Sequence, residues 1–163
     1  MRSLIPIAFF FFSILAFAQE ETGVDFTLPD LQGKDFRLAE HLGDGPILVN
    51  FWATWCIPCK AEMKELKEIY QTYQQQGLQI LAISIDDPKT VSKVRGEVRV
   101  KRYPFTILLD TNSKVFQQFQ GTNPPLSLLI DKNGKVVYTH TGFRKGDEKK
   151  LEAQILALLE KKD

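Results

Sequence analysis

The chain is poor in the side chains that hold metals, with two cysteines and two histidines in 163 residues. His41 and His140 fall on separate predicted elements and show no ligand-like spacing to each other or to the cysteines. Two thiolates supply only half of a tetrahedral zinc shell. No metal and no cofactor is therefore expected. An excess of either charge is also missing, since 21 basic residues face 20 acidic ones. That balance gives no electrostatic case for nucleic acid or for an anionic membrane surface. Past the opening residues no apolar run approaches the roughly 20 residues that span a bilayer. Internal repeats are absent, and the only low-complexity tract is a Phe-rich beginning.

That beginning reads MRSLIPIAFFFFSILAFAQEE. Arg2 is its only charge before Glu20, Leu4 to Phe17 is apolar except for Pro6 and Ser13, and Ala16-Phe17-Ala18 has the form of a cleavage site. The layout is that of a secretory signal peptide, residues 1–18, and it predicts an exported chain in an oxidising, extracytoplasmic surrounding such as a periplasm. No cysteine lies near the cut to carry a lipid anchor. Residues 19–163 then form one domain, and a chain of about 150 residues builds a core without disulfide staples.

Strand and helix signals alternate along this domain. Phe26 to Leu28 and Phe36 to Leu38 flank a turn at Gln32-Gly33-Lys34 and predict a hairpin. PILVNFW, Pro46 to Trp52, is a strand buried on both faces. From Pro58 the spacing of Met63, Leu66, Tyr70 and Tyr73 is helical, and Gly77 stops it. Leu78 to Ile85 is a second buried strand, so the three elements make a βαβ unit. Thr90 to Arg95 predicts a short helix, Phe105 to Leu109 a strand, and Ser113 to Phe119 a helix. Leu126 to Ile130 and Val136 to Thr141 are strands joined by a turn, and Glu148 to Lys161 is a closing helix. The fold class is α/β: a mixed central sheet, parallel in the middle with an antiparallel hairpin at the end, flanked by helices.

Both cysteines lie in WCIPCKAE, residues 55 to 62. Cys56 ends a central strand and Cys59 falls in the first turn of the next helix, where residues three apart share a face. Pro58 suits that turn because its missing N–H has no helical partner there. Unpaired N–H groups and the helix dipole favour a thiolate at Cys56, and the thiolate is the nucleophile. As a staple such a bond is poor, because closing so short a loop removes little unfolded-state entropy. C-x-x-C beside a βαβ pattern is a redox signal.

VNFWATWCIPCKAE, with FTLPDLQGKDFRLAEHLGDGPILVNFW upstream and PPLSLLIDKNGKVV downstream, resembles the thioredoxin-fold disulfide reductases of the TlpA/ResA type. The resemblance runs from about Asp25 to the C-terminus and is loosest between Asp86 and Gly121. It implies a thioredoxin-like fold, with a central helix-strand insertion between Asp86 and Asn112. By that resemblance Cys56 attacks the substrate disulfide, Cys59 resolves the mixed disulfide, Trp55 shields the pair, and Pro125 is the cis-proline beside the site. Glu62 matches the subfamily's acidic residue three positions past the second cysteine. Read without the resemblance, Glu62 is a first-turn glutamate that complements the helix dipole. Asn50 stands where cytosolic thioredoxins carry a buried acid.

Ile57 offers the thiolate no hydrogen bond and Glu62 opposes its charge, so the couple is expected to be reducing. The implied partners are disulfide-containing proteins, with apocytochrome c the family's best-known client, and a transmembrane thiol donor of the DsbD or CcdA type. The expected state is a monomer. Trp55, Ile57, Pro124 and Pro125 are the expected substrate-binding residues. Pro124 departs from the family pattern: it keeps its carbonyl but has no N–H for a bound strand. Two other classes compete. A peroxiredoxin-like peroxidase would want Pro-x-x-x-Thr/Ser-x-x-Cys, which FWATWC lacks. A copper-binding module on the same fold would want Cys-x-x-x-Cys or a histidine in the loops near the cysteine pair, and the sequence offers neither.

Overall fold

A computed structural model describes Val24 to Lys161. The signal-peptide reading of residues 1–18 lies outside the described residues. The apolar run after Pro46 forms a central strand in which every residue is buried. Numbered in chain order, the strands are β1 (Thr27–Pro29), β2 (Asp35–Arg37), β3 (Ile47–Trp52), β4 (Gln79–Ser84), β5 (Thr106–Leu109), β6 (Leu126–Ile130) and β7 (Val136–Thr141). The helices are α1 (Ile57–Tyr73), α2 (Val91–Lys101), α3 (Lys114–Gln118) and α4 (Asp147–Leu159). β1 and β2 make a separate antiparallel hairpin. The other five strands form one sheet in the order β5-β4-β3-β6-β7. β3, β4 and β5 run parallel, and β6 and β7 add antiparallel on the other side.

Side chains of β3 alternate between two cores. Leu48 and Trp52 enter a cluster with Cys59, Met63 and Leu66 of α1, Val94 of α2, and Leu151 and Ile155 of α4. Ile47, Val49 and Phe51 enter the opposite cluster with Phe26, Leu28, Val115 and Phe116. Asn50, the only polar residue of β3, shares a sheet face with Leu48 and Trp52 by the two-residue period, and that face lies under α1.

The largest departure from the expected elements is α2, which continues to Lys101 instead of stopping at Arg95. Val91, Val94 and Val98 all reach the core, and that stripe carries the helix through Gly96. Each hairpin strand has the expected three residues but is shifted by one, β2 ending at Arg37 because Leu38 opens a 3-10 segment. The stop after α1 is steric as well as conformational. Gly77 has φ +102°, and a Cβ on Gly45 would lie 2.4 Å from the Gly77 carbonyl oxygen, so both positions require glycine.

Candidate active site

α1 begins where β3 delivers the chain to the edge of the sheet. Cys56 is the N-cap of α1, and its sulfur accepts from the Cys59 N–H at 3.2 Å. The two cysteines form a disulfide, with Cys56 at the surface side and Cys59 fully buried behind it. The loop leading in is clamped from the next strand. Asp86, just past β4, accepts from the Thr54 N–H at 2.8 Å, from the Thr54 hydroxyl at 2.5 Å and from the Ser84 hydroxyl at 2.9 Å. Asp86 is itself buried.

Around the disulfide the surface is apolar. Trp55 is 64% exposed and Ile57 is 82% exposed, a large solvent-facing area for an aromatic and a branched aliphatic side chain. Trp55 is thus not a packed aromatic; the buried tryptophan is Trp52, whose ring stands edge-on to Tyr103. The peptide bond Pro124–Pro125 is cis, and the Pro124 carbonyl oxygen lies 3.6 Å from the Cys56 sulfur. The Pro124–Pro125 turn thus lies against Cys56, whose sequence neighbours Trp55 and Ile57 are exposed, while Pro125 itself is buried.

Glu62 does not sit in the first turn of α1. It lies in the second turn, on the core face, and is 3% exposed. Asn50 donates to its Oε2 at 2.8 Å and the Ser127 hydroxyl donates to its Oε1 at 2.9 Å. Asn50 also donates to the Ser127 oxygen at 2.9 Å. Burial pushes the Glu62 carboxyl from an ordinary 4.5 up to about 7; the bonds from Ser127 and Asn50 pull the other way, and the charge of Asp147 adds a smaller push upward. A carboxyl in that range exchanges its proton near neutral pH. Cys59 and Glu62 are three residues apart on the same buried face of α1, so the carboxyl and the inner sulfur lie on one side of the helix.

Ser127 and Asp86 were not singled out from the sequence. Ser127 faces Asn50 across the β3–β6 ladder, a register that becomes visible only once the strands pair. Glu62 had a signal: Cys59, Glu62, Leu66, Ile69 and Tyr73 follow helical spacing, which puts the glutamate on the apolar stripe. His41 stacks on Phe36, far from this chemistry in the hairpin layer. His140 does reach the site, lining an open cavity with Pro58, Pro124 and Pro125. Among the described residues, no group of three or more histidine, cysteine or acidic side chains is arranged to hold a metal ion. No described helix is long and apolar enough to cross a membrane.

Comparison with known proteins agrees with this geometry. The model of the AhpC/TSA family matches residues 20–139. The chain is 41% identical over 132 residues to the thiol-disulfide oxidoreductase ResA of Geobacillus thermodenitrificans, covering 69% of this chain and 75% of that one. It is 33% identical over 118 residues to ResA of Bacillus subtilis, covering 72% and 64%. Among solved structures it superposes on a Chlorobium tepidum protein provisionally named thiol:disulfide interchange protein DsbE. That match has a TM-score of 0.78 and 31% identity over 85% of this chain and 95% of the other.

Proposed function

Since the chain belongs to the AhpC/TSA family, and within it to the ResA-like thiol-disulfide oxidoreductases, we propose that it works in the reducing direction on protein disulfides outside the cytoplasm. The observation that carries the reading is the placement of the two sulfurs. Cys56 stands at a helix N-terminus within an exposed apolar surface, and Cys59 is buried beside a carboxyl that titrates near 7.

In the reduced protein the Cys56 thiolate attacks one sulfur of a client disulfide. The other client sulfur leaves as a thiolate and takes a proton from solvent. Cys59 then gives its proton to Glu62 and attacks the Cys56 sulfur of the mixed disulfide. The second client sulfur leaves, the Cys56–Cys59 bond forms, and two electrons have passed to the client. Trp55, Ile57 and Pro124 supply apolar contact to the client chain, and the Pro124 carbonyl accepts from its backbone. A thiol donor in the membrane, of the DsbD or CcdA kind, would return the electrons. Apocytochrome c, whose cysteines must be reduced before haem attachment, is the client this reading favours. The leader at residues 1–18 supports an exported location.

The test is the redox potential. Equilibration with dithiothreitol buffers should place the couple nearer thioredoxin's roughly −270 mV than DsbA's roughly −120 mV. A value above about −170 mV would make the protein an oxidant and end this reading. A Cys59→Ala variant in the native host should retain clients on Cys56 as mixed disulfides, and their identity decides the cytochrome assignment.

A further inference from the structure

The sheet carries a polar row that the disulfide chemistry does not explain. Asn50 lies directly opposite Ser127 on the neighbouring strand, and Ser127 lies directly opposite His140 on the next. Directly paired residues project to the same face, at strand spacings of about 4.8 Å. Three polar side chains thus run in line from the centre of the sheet to its edge, under α1. Glu62 accepts from the first two. The third, His140, has Nε2 3.4 Å from Asp147 Oδ2 at the start of α4. That approach suits charge pairing but is misaligned for a hydrogen bond, and the buried nitrogen has no other partner.

Two cavities meet at this pair. A narrow crevice of about 10 Å³ lies among Glu62, Ser127, Tyr138, His140 and Asp147. It has room for about one water molecule. An open cavity of about 450 Å³ lies on the other side, bounded by Pro58, Pro124, Pro125, His140 and Asp147. His140 and Asp147 line both. Glu62 itself is buried, and Leu66 and Leu151 line the crevice beside it.

We propose that His140 and Asp147 form the proton port of Glu62, carrying its proton between the narrow crevice and the open cavity beside the cis-proline. The proposal rests on the reading of Glu62 as the proton partner of Cys59. The sequence of transfers balances. Cys59 S–H loses its proton to the Glu62 carboxylate. Glu62 passes it, directly or through one water, to neutral His140, and the imidazolium releases it to a base in the open cavity. In the opposite half-cycle each step reverses.

The charged groups around His140 are mostly acidic. Glu62 and Glu65 face the crevice from α1, and Asp147 and Glu148 face it from α4. Tyr138 of β7 stacks at 6.3 Å, β6 contributes only the neutral Ser127, and Arg144 lines the outer cavity. Lys150 sits 3.7 Å from Asp147 on the far side of that carboxylate. The Arg144 N–H first, and then His140 and Lys150, hold the Asp147 carboxyl below its usual range, so it stays ionised at neutral pH. Its charge raises the proton affinity of Glu62. A proton on His140 cancels that field and so favours release from Glu62.

The experiment is a rapid-mixing measurement of the Cys59 resolution step with a small disulfide peptide, in dilute buffer from pH 5.5 to 9. His140→Ala should slow the step about tenfold or more, and added imidazole should restore it in proportion to concentration. His140→Gln, which keeps the shape of the edge strand, should be slow as well. In a Glu62→Gln background His140→Ala should change nothing further. An unaltered rate and pH profile in His140→Ala would overturn the port. So would slowing that imidazole does not rescue and that persists beside Glu62→Gln, because the effect would then be structural. If Glu62→Gln alone leaves the pH profile of the wild-type protein, the proton role of Glu62 and its port fall together. A potential above the reductase range with a rescued His140→Ala would remove only the assigned direction.

Discussion

At Glu62 two opposing effects act on one carboxyl, and burial outweighs the hydrogen bonds. The folded protein holds the proton up to about pH 7, whereas an unfolded chain releases it near 4.5. The folded state therefore binds more protons between those values, and stability falls as pH rises through that window. The contribution is fully present below about 4.5 and gone above about 7, and its size is on the order of 3 kcal/mol. Glu62→Gln should keep most of the hydrogen bonding without the charge. Urea unfolding at pH 4.5 and pH 8 should show the variant matching wild type at the lower pH and exceeding it at the higher one. Parallel pH slopes in the two proteins would mean that the carboxyl is not shifted. The same substitution removes a negative charge near the sulfurs and should lower the pH at which Cys56 is alkylated by iodoacetamide. The sequence placed this residue by motif but assigned it to the wrong turn. The helical stripe through Cys59, Leu66 and Ile69 would have corrected that, whereas Ser127 carried no local signal at all.

The elements around the disulfide were legible in proportion to how local their causes are. Strand β3, the start of α1 at the Cys-Ile-Pro-Cys stretch and the β6–β7 hairpin follow from runs, periods and turn residues within a few positions. The length of α2 does not, because its valines declare themselves only by meeting the core formed by other segments. The same distinction applies to the loop from Ala53 to Cys56. Its conformation is set from Asp86, 32 residues further on in the chain. Asp86 satisfies a backbone N–H and two hydroxyls that are buried or half-buried, so its removal strands all three. Asp86→Ala should cost about 2 to 4 kcal/mol by chemical unfolding. It should also loosen Cys56 at the mouth of α1 and slow disulfide exchange more than Thr54→Val, which removes only one of the bonds. An Asp86→Ala protein as stable as wild type would show that the clamp is dispensable.

For the whole molecule, stability and redox direction are linked by one thermodynamic cycle. Whichever redox state the fold favours is also the state that unfolds less readily, with about 1.4 kcal/mol for every 30 mV. A strong oxidant of this fold is one whose reduced form is stabilised. Here little beyond the helix N-terminus is available to a Cys56 thiolate. Ile57 and Pro58 bring no side-chain donor. The first lysine of the helix, Lys60, is turned to Glu97 at 3.3 Å. Glu62, behind the sulfurs, adds negative charge once ionised. The oxidised protein is therefore expected to be the more stable form at pH 7, by roughly 1 to 3 kcal/mol. Urea unfolding of the disulfide form and of the dithiothreitol-reduced form, monitored by tryptophan fluorescence, measures the difference directly. The slopes with denaturant should be nearly equal, because a cross-link across two residues hardly restricts the unfolded chain. A reduced form more stable than the oxidised one would mark an oxidant, and it would contradict the reducing direction without reference to any client.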